Sequence, residues 1–127
     1  MSPAVDSSSD QSDAKGDGAV LEALPGIEEI IRVYAPDEDL KNPLISPIYG
    51  DFSGFPPLFV IAGGAEALCN DSLSLAAVCA KTGGDLKLLI GRDMIHTYPL
   101  DFRDYPEASK AMDEIELFLK QKLIQNL

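Results

Sequence analysis

Glu66, in the stretch GAEALCNDSLSLA at 64–76, and His96, in DMIHTYP at 93–99, stand thirty residues apart, and His96 is the only histidine of the chain. A carboxylate set against one ring nitrogen of an imidazole fixes its tautomer and supports its charged form, so the other nitrogen can take a proton from a nucleophile. The pair points to an acid and a general base, provided that the fold brings them together and something supplies the nucleophile. No nearby hydroxyl is well placed for that role. Ser53 in GDFSG at 50–54 comes one place late for a GxSxG elbow and sits in a Pro-rich loop. Ser72 and Ser74 fall on the stretch after Glu66 that reads as a helix, where capping or surface roles are expected.

The elements around the pair support a common position. Leu58 to Ala62 is a continuous apolar run closed by Gly63-Gly64, the pattern of a strand buried on both faces, and Leu86 to Ile90 reads as a second strand. Between them Asn70 or Asp71 can cap a helix with Leu73, Ala76, Ala77 and Ala80 along one stripe and Gly83-Gly84 at its end. Strand, helix, strand at this length is a parallel βαβ unit, with a right-handed crossover expected. Ligands bind beyond the carboxyl ends of such strands. Glu66 and His96 each follow a strand, so both should emerge at that edge, on neighbours roughly 5 Å apart.

The rest of the chain frames this unit. Residues 7–18, SSSDQSDAKGDG, hold one aliphatic side chain and read as a flexible loop. In IEEIIRVYA, at 27–35, Ile27, Ile30, Ile31 and Tyr34 fall at helical spacing, and Pro36 stops the helix. Prolines at 36, 43, 47, 56 and 57 make residues 35–57 loop and extended structure, ordered by packing against something else. A last helix opens at Pro106 and runs to about Lys122, with Ala108, Met112, Ile115, Leu119 and Leu123 on one face and Lys110, Glu114, Lys120 and Lys122 elsewhere. It should pack on the same sheet. Asp101, Asp104 and Glu107 are expected to cover the surface near its N-terminus, where the helix dipole favours them.

Composition narrows the function classes. At 127 residues, 46% apolar and 24% charged, the chain is one soluble globular domain at most. Its net charge of −11 opposes binding to nucleic acid or anionic lipid. No apolar run is long enough to span a bilayer, and no basic-then-apolar leader opens the chain, so a cytoplasmic location is expected. Cys69 and Cys79 lie on one predicted helix about 15 Å apart, outside disulfide range. One histidine and two such cysteines make no zinc set, and no phosphate-cradling GxGxxG, GKS or GKT segment is present, so neither a metal nor a cofactor is expected.

The motif train NPLISPIYGDFSGFPPLFVIAGGAEALCNDSLSLA at 42–76, followed by GRDMIHTYP at 91–99, resembles the C-terminal portion of α/β-hydrolase esterases of the hormone-sensitive-lipase group. These have an SPxY segment, a GxPP turn into a strand, an acid after that strand, then an aliphatic strand and a Met-x-His loop. The resemblance implies that Glu66 takes the acid's position and His96 that of the general base in a serine, acid, histidine chain order. Two details depart from the pattern: the acid is Glu where many relatives have Asp, and Asp93 stands where a glycine commonly precedes Met-x-His.

A third departure matters more: the chain contains neither the GxSxG elbow nor the HGGG oxyanion segment that the family places upstream of the acid. MSPAVDSSS resembles the strand after the nucleophile region, so residues 1–125 are expected to be the C-terminal part of the domain, an α/β arrangement keeping the last three parallel strands, the first of them weak, and losing the first five. Such a piece exposes a sheet edge, which invites self-association or a partner. The resemblance implies a carboxylic ester hydrolase lineage acting on small acyl esters, inactive alone for want of the nucleophile. The other reading is a non-catalytic binding or interaction module derived from a hydrolase, with Glu66 and His96 inherited but idle.

Overall fold

A computed structural model of the protein describes residues 3–8 and 32–124. Strands β1 (Leu58–Gly63) and β2 (Leu86–Gly91) form a parallel ladder, in register from Leu58 opposite Leu86 to Gly63 opposite Gly91. Helix α1 (Cys69–Thr82) joins them, and helix α2 (Pro106–Ile124) follows β2.

Alternation along β1 gives each face of the sheet its own core. Val60 turns to one side and packs with Val5, Phe52, Leu75 and Cys79, joined by Leu86 and Leu88 of β2. Ile61 turns to the other and packs with Tyr98, Ala108 and Ala111, joined by Phe59 and Leu89. Each such branched side chain contributes about 1.5–3 kcal/mol when fully buried. β2 is the more exposed strand. Its Lys87 lies over the Phe59 ring, 4.7 Å from the centroid, and pairs with Glu114 of α2 at 2.5 Å.

Helix α1 presents a face other than the one expected from sequence, and α2 keeps only the first part of its expected face. In α1 the buried residues are Asp71, Ser72, Leu75 and Cys79, whereas Leu73 is 46% exposed and Ala77 and Ala80 face solvent. An alanine adds only one methyl to burial, so the stripe of alanines decides little against the anchoring of Asp71 and the packing of Leu75 on Val60. Neither Asn70 nor Asp71 caps the helix: Leu68 is at the N-cap with no side-chain bond, and Asp71 Oδ2 accepts instead from the N–H groups of Val5 (2.7 Å) and Asp6 (3.2 Å). The helix ends as expected, at Gly83 with φ 78°.

In α2 the buried residues are Ala108 and Ala111, with Ile115 packed against the same cluster, while Leu119 and Leu123 are exposed. Phe118 packs against the Phe59 ring at 5.2 Å and Lys122 pairs with Asp85 at 2.6 Å. These contacts turn the helix about one position from the expected stripe.

The described residues contain two strands, not three. The backbone N–H groups of Val5, Asp6 and Ser7 go to Asp71 and Ser46 side chains, and Val5 O accepts from Ile48 N at 3.1 Å, so this segment spends its groups on a helix start and a loop and not on a ladder. Of the loop expected at 7–18, Ser7 and Ser8 are anchored, Ser7 Oγ donating to Ile45 O (3.2 Å), and residues 9–18 lie outside the described residues. The same holds for Ile27, Ile30 and Ile31 of the short helix; residues 32–34 are helical, and Tyr34, expected on the apolar face, is 78% exposed. Residues 35–57 are turns around a short 3-10 helix, Pro47–Tyr49. Buried Ser46, which donates to Leu40 O at 2.5 Å, and Phe52 supply their order. No helix among the described residues is long and apolar enough to cross a membrane.

Candidate active site

The two strands end side by side, and the chain leaves each in a turn that is bonded to the other. Gly91 O accepts from Gly64 N (2.7 Å) and from Met94 N (3.1 Å), and Met94 O accepts from Ala65 N (3.0 Å). The loop carrying His96 thus lies directly on the turn carrying Glu66. Gly63 makes this possible: a Cβ there would fall on Met94 O and stand 2.5 Å from Ile95 O. Only a glycine lets the two backbones approach so closely.

In this arrangement Glu66 Oε2 and His96 Nδ1 are 3.1 Å apart. An ionised carboxylate can only accept, so Nδ1 carries the proton of this bond. The Glu66 side chain is 2% exposed and that of His96 51% exposed. The carboxylate is therefore sheltered from water while the ring reaches the surface. Glu66 Oε1 is buried with no hydrogen-bond partner among the described residues. The charge of Glu66 is felt nearby: burial first, and then this carboxylate, push the Cys69 thiol and the Tyr98 phenol up from their ordinary values.

Of the serines weighed as nucleophiles, Ser53 and Ser72 have other partners. Ser53 Oγ donates to Asp51 Oδ2 at 2.8 Å in an exposed turn. Ser72 is fully buried, not at the surface, and donates to Leu68 O at 3.3 Å. Ser74 is exposed on α1. Asp93 has φ 59°, a conformation that glycine takes without steric cost and that Asp tolerates better than most residues. Cys69 and Cys79 are free thiols, and among the described residues no group of three or more His, Cys, Asp and Glu side chains could hold a metal ion.

Comparison with known proteins shows the family of the chain. Residues 1–100 match the family described as alpha/beta hydrolase fold. The chain belongs to that family. Within it this α/β hydrolase is hormone-sensitive-lipase-like. It is similar to a hormone-sensitive lipase from a metagenome library, with a TM-score of 0.82 and 32% identity, covering 96% of this chain and 43% of that one. Esterase E25 is similar with a TM-score of 0.81 and 29% identity, over 95% of this chain and 38% of that one. The acetyl-hydrolase of Streptomyces hygroscopicus is 30% identical over 87 residues, 68% of this chain and 29% of that protein. The hydrolase chain thus spans under a third of the length of the curated relatives and 38–43% of the solved structures it matches.

Sequence reasoning singled out Glu66 and His96, and the structure brings them together. It missed Asp71 and Ser46 as anchors of residues 5–7, and it read Gly63-Gly64 only as the close of a strand. A glycine at the matching end of each strand, Gly63 and Gly91, was the available signal for a loop lying across them.

Proposed function

We propose that this chain supplies the acid and the base of a carboxylic ester hydrolase, Glu66 holding His96 in position and supporting its charge. The observation that carries the reading is the 3.1 Å contact between a buried carboxylate and a half-exposed imidazole at the carboxyl ends of two parallel strands. A serine from another part of the hydrolase domain attacks the acyl carbon of a small ester, and His96 Nε2 takes the hydroxyl proton. The imidazolium, steadied by Glu66, gives that proton to the departing alcohol. Water then attacks the acyl enzyme, with His96 again as base, releasing the carboxylic acid and the free serine. The ladder edge of β1 that β2 leaves unused is where further strands of the domain would pair.

On this reading the 127-residue chain alone turns over no ester, because its sequence has no GxSxG or HGGG segment. A fluorophosphonate probe should label no serine of the purified chain, and labelling would overturn that part. Joined to the nucleophile-bearing part of a relative, the chain should restore ester hydrolysis, and His96→Ala should lower it by about 10³-fold or more. A stable complex without activity would favour the non-catalytic binding module instead.

A further inference from the structure

Gly63 and Gly91 face each other at the ends of the two strands, and neither site has room for a side chain. A Cβ on Gly91 would stand 2.6 Å from Tyr98 Cζ, and one on Gly63 would meet the backbone of Met94 and Ile95. The strand ends therefore form a bare floor on which the loop lies. The loop is fixed on both sides of His96. Before it, Met94 O is held by Ala65 N at 3.0 Å; after it, the Tyr98 ring is pressed down on Gly91 and is 3% exposed.

Between these fixed points the chain turns through Thr97, whose φ is 58°. The left-handed region is uncommon for any residue with a Cβ and a true outlier for a β-branched one. Its surroundings hold Thr97 there: its hydroxyl donates to His96 O at 2.7 Å and its carbonyl accepts from Leu100 N at 2.9 Å. Its own N–H donates no hydrogen bond among the described residues. Strained residues persist where the surrounding structure over-determines them.

We propose that the left-handed turn at Thr97, imposed by the Gly63–Gly91 floor and the buried Tyr98, aims the His96 ring at Glu66, which makes Thr97 a positioning residue for the base. The proposal rests on the reading of His96 as that base, but its test reads the geometry of the ring and not turnover, so each can fail separately. His96 is the only histidine, so the imidazole ¹⁵N and N–H signals of the 127-residue chain belong to it alone.

The unaltered chain should show an Nδ1–H proton sheltered by Glu66. Thr97→Pro cannot take a positive φ and removes no backbone hydrogen bond seen among the described residues, only the hydroxyl's bond to His96 O, which Thr97→Val removes by itself as a control, and it should make this proton exchange at least about tenfold faster or vanish. Thr97→Asn, which accepts the left-handed region more readily, should keep the signal and raise Tm by roughly 4 °C. A Thr97→Pro chain that keeps the sheltered proton would overturn the proposal. So would a Thr97→Asn chain with a lower Tm or a lost signal, and this variant decides the matter should the proline chain fail to fold.

Discussion

The turn carrying Glu66 and the loop carrying His96 touch, yet they are built in opposite ways. Glu66 is sealed in, its side chain 2% exposed, on a turn whose following helix is anchored through buried Asp71 and Ser72. His96 is half exposed on a loop that contains both non-glycine residues of positive φ seen among the described residues, Asp93 and Thr97. A carboxylate that only orients and steadies a partner gains from a water-poor surrounding, where its attraction for the imidazole is least screened. On the proposed reading His96 has to reach the surface to meet a nucleophile and a substrate, and the buried Tyr98 and the bonds around Thr97 hold its loop in place against the backbone strain.

The contrast can be broken most directly at Gly63, where the two halves are in contact. Gly63→Ala sets a methyl against the backbone oxygens of Met94 and Ile95, which have no flexible end to swing away. The expected loss is about 3 kcal/mol or more in urea denaturation, with the sheltered His96 proton lost as well. Asp71→Ala should cost less, roughly 2–3 kcal/mol, by leaving the Val5 and Asp6 N–H groups without their acceptor. Hydrogen exchange at those two amides should rise before exchange in β1 does, since the anchor and not the ladder is lost.

Two smaller effects sharpen the picture of the sealed carboxylate. Cys69 and Cys79 share one helix, but Cys79 is fully buried and Cys69 partly open, with burial and the Glu66 charge both opposing its thiolate. Glu66→Gln removes the second of these causes, so alkylation of Cys69 should quicken by about twofold while Cys79 stays unreactive. Tyr98 is the alkaline counterpart. Its phenol, raised by burial and then by Glu66, holds its proton in the folded chain at pH values where the unfolded chain has released it. Above the ordinary tyrosine value near pH 10 the unfolded state binds fewer protons, and stability falls as pH rises. Tyr98→Phe should flatten that alkaline decline of the denaturation midpoint, and an unchanged slope would show that the phenol does not report on the carboxylate.

Much of the positioning was legible in the sequence because it depends on short-range pattern. The apolar run from Leu58 closed by glycines, the run from Leu86, the glycine stop at Gly83 and the proline start at Pro106 each leave a local mark. The face of α1 and the second half of that of α2 were not legible. Leu73, Ala76, Ala77 and Ala80 make as good a stripe as Asp71, Ser72, Leu75 and Cys79 until a partner is present, and that partner includes Val5, 66 residues before Asp71. Likewise Phe118 and Lys122 outrank Leu119 and Leu123 on α2 only because Phe59 and Asp85 are there to meet them.

By itself the sequence determined the parallel βαβ unit, the family and the two residues that face each other at its edge, since strand length, turn residues and motif order are local properties of the chain. Tertiary structure alone decided that Glu66 is sealed while His96 is open, that Asp71 holds the N-terminal segment and not a helix end, and that Gly63 and Gly91 are a floor for the loop carrying His96. Those outcomes depend on which backbone approaches which across tens of residues, and no spacing along the chain records such an approach.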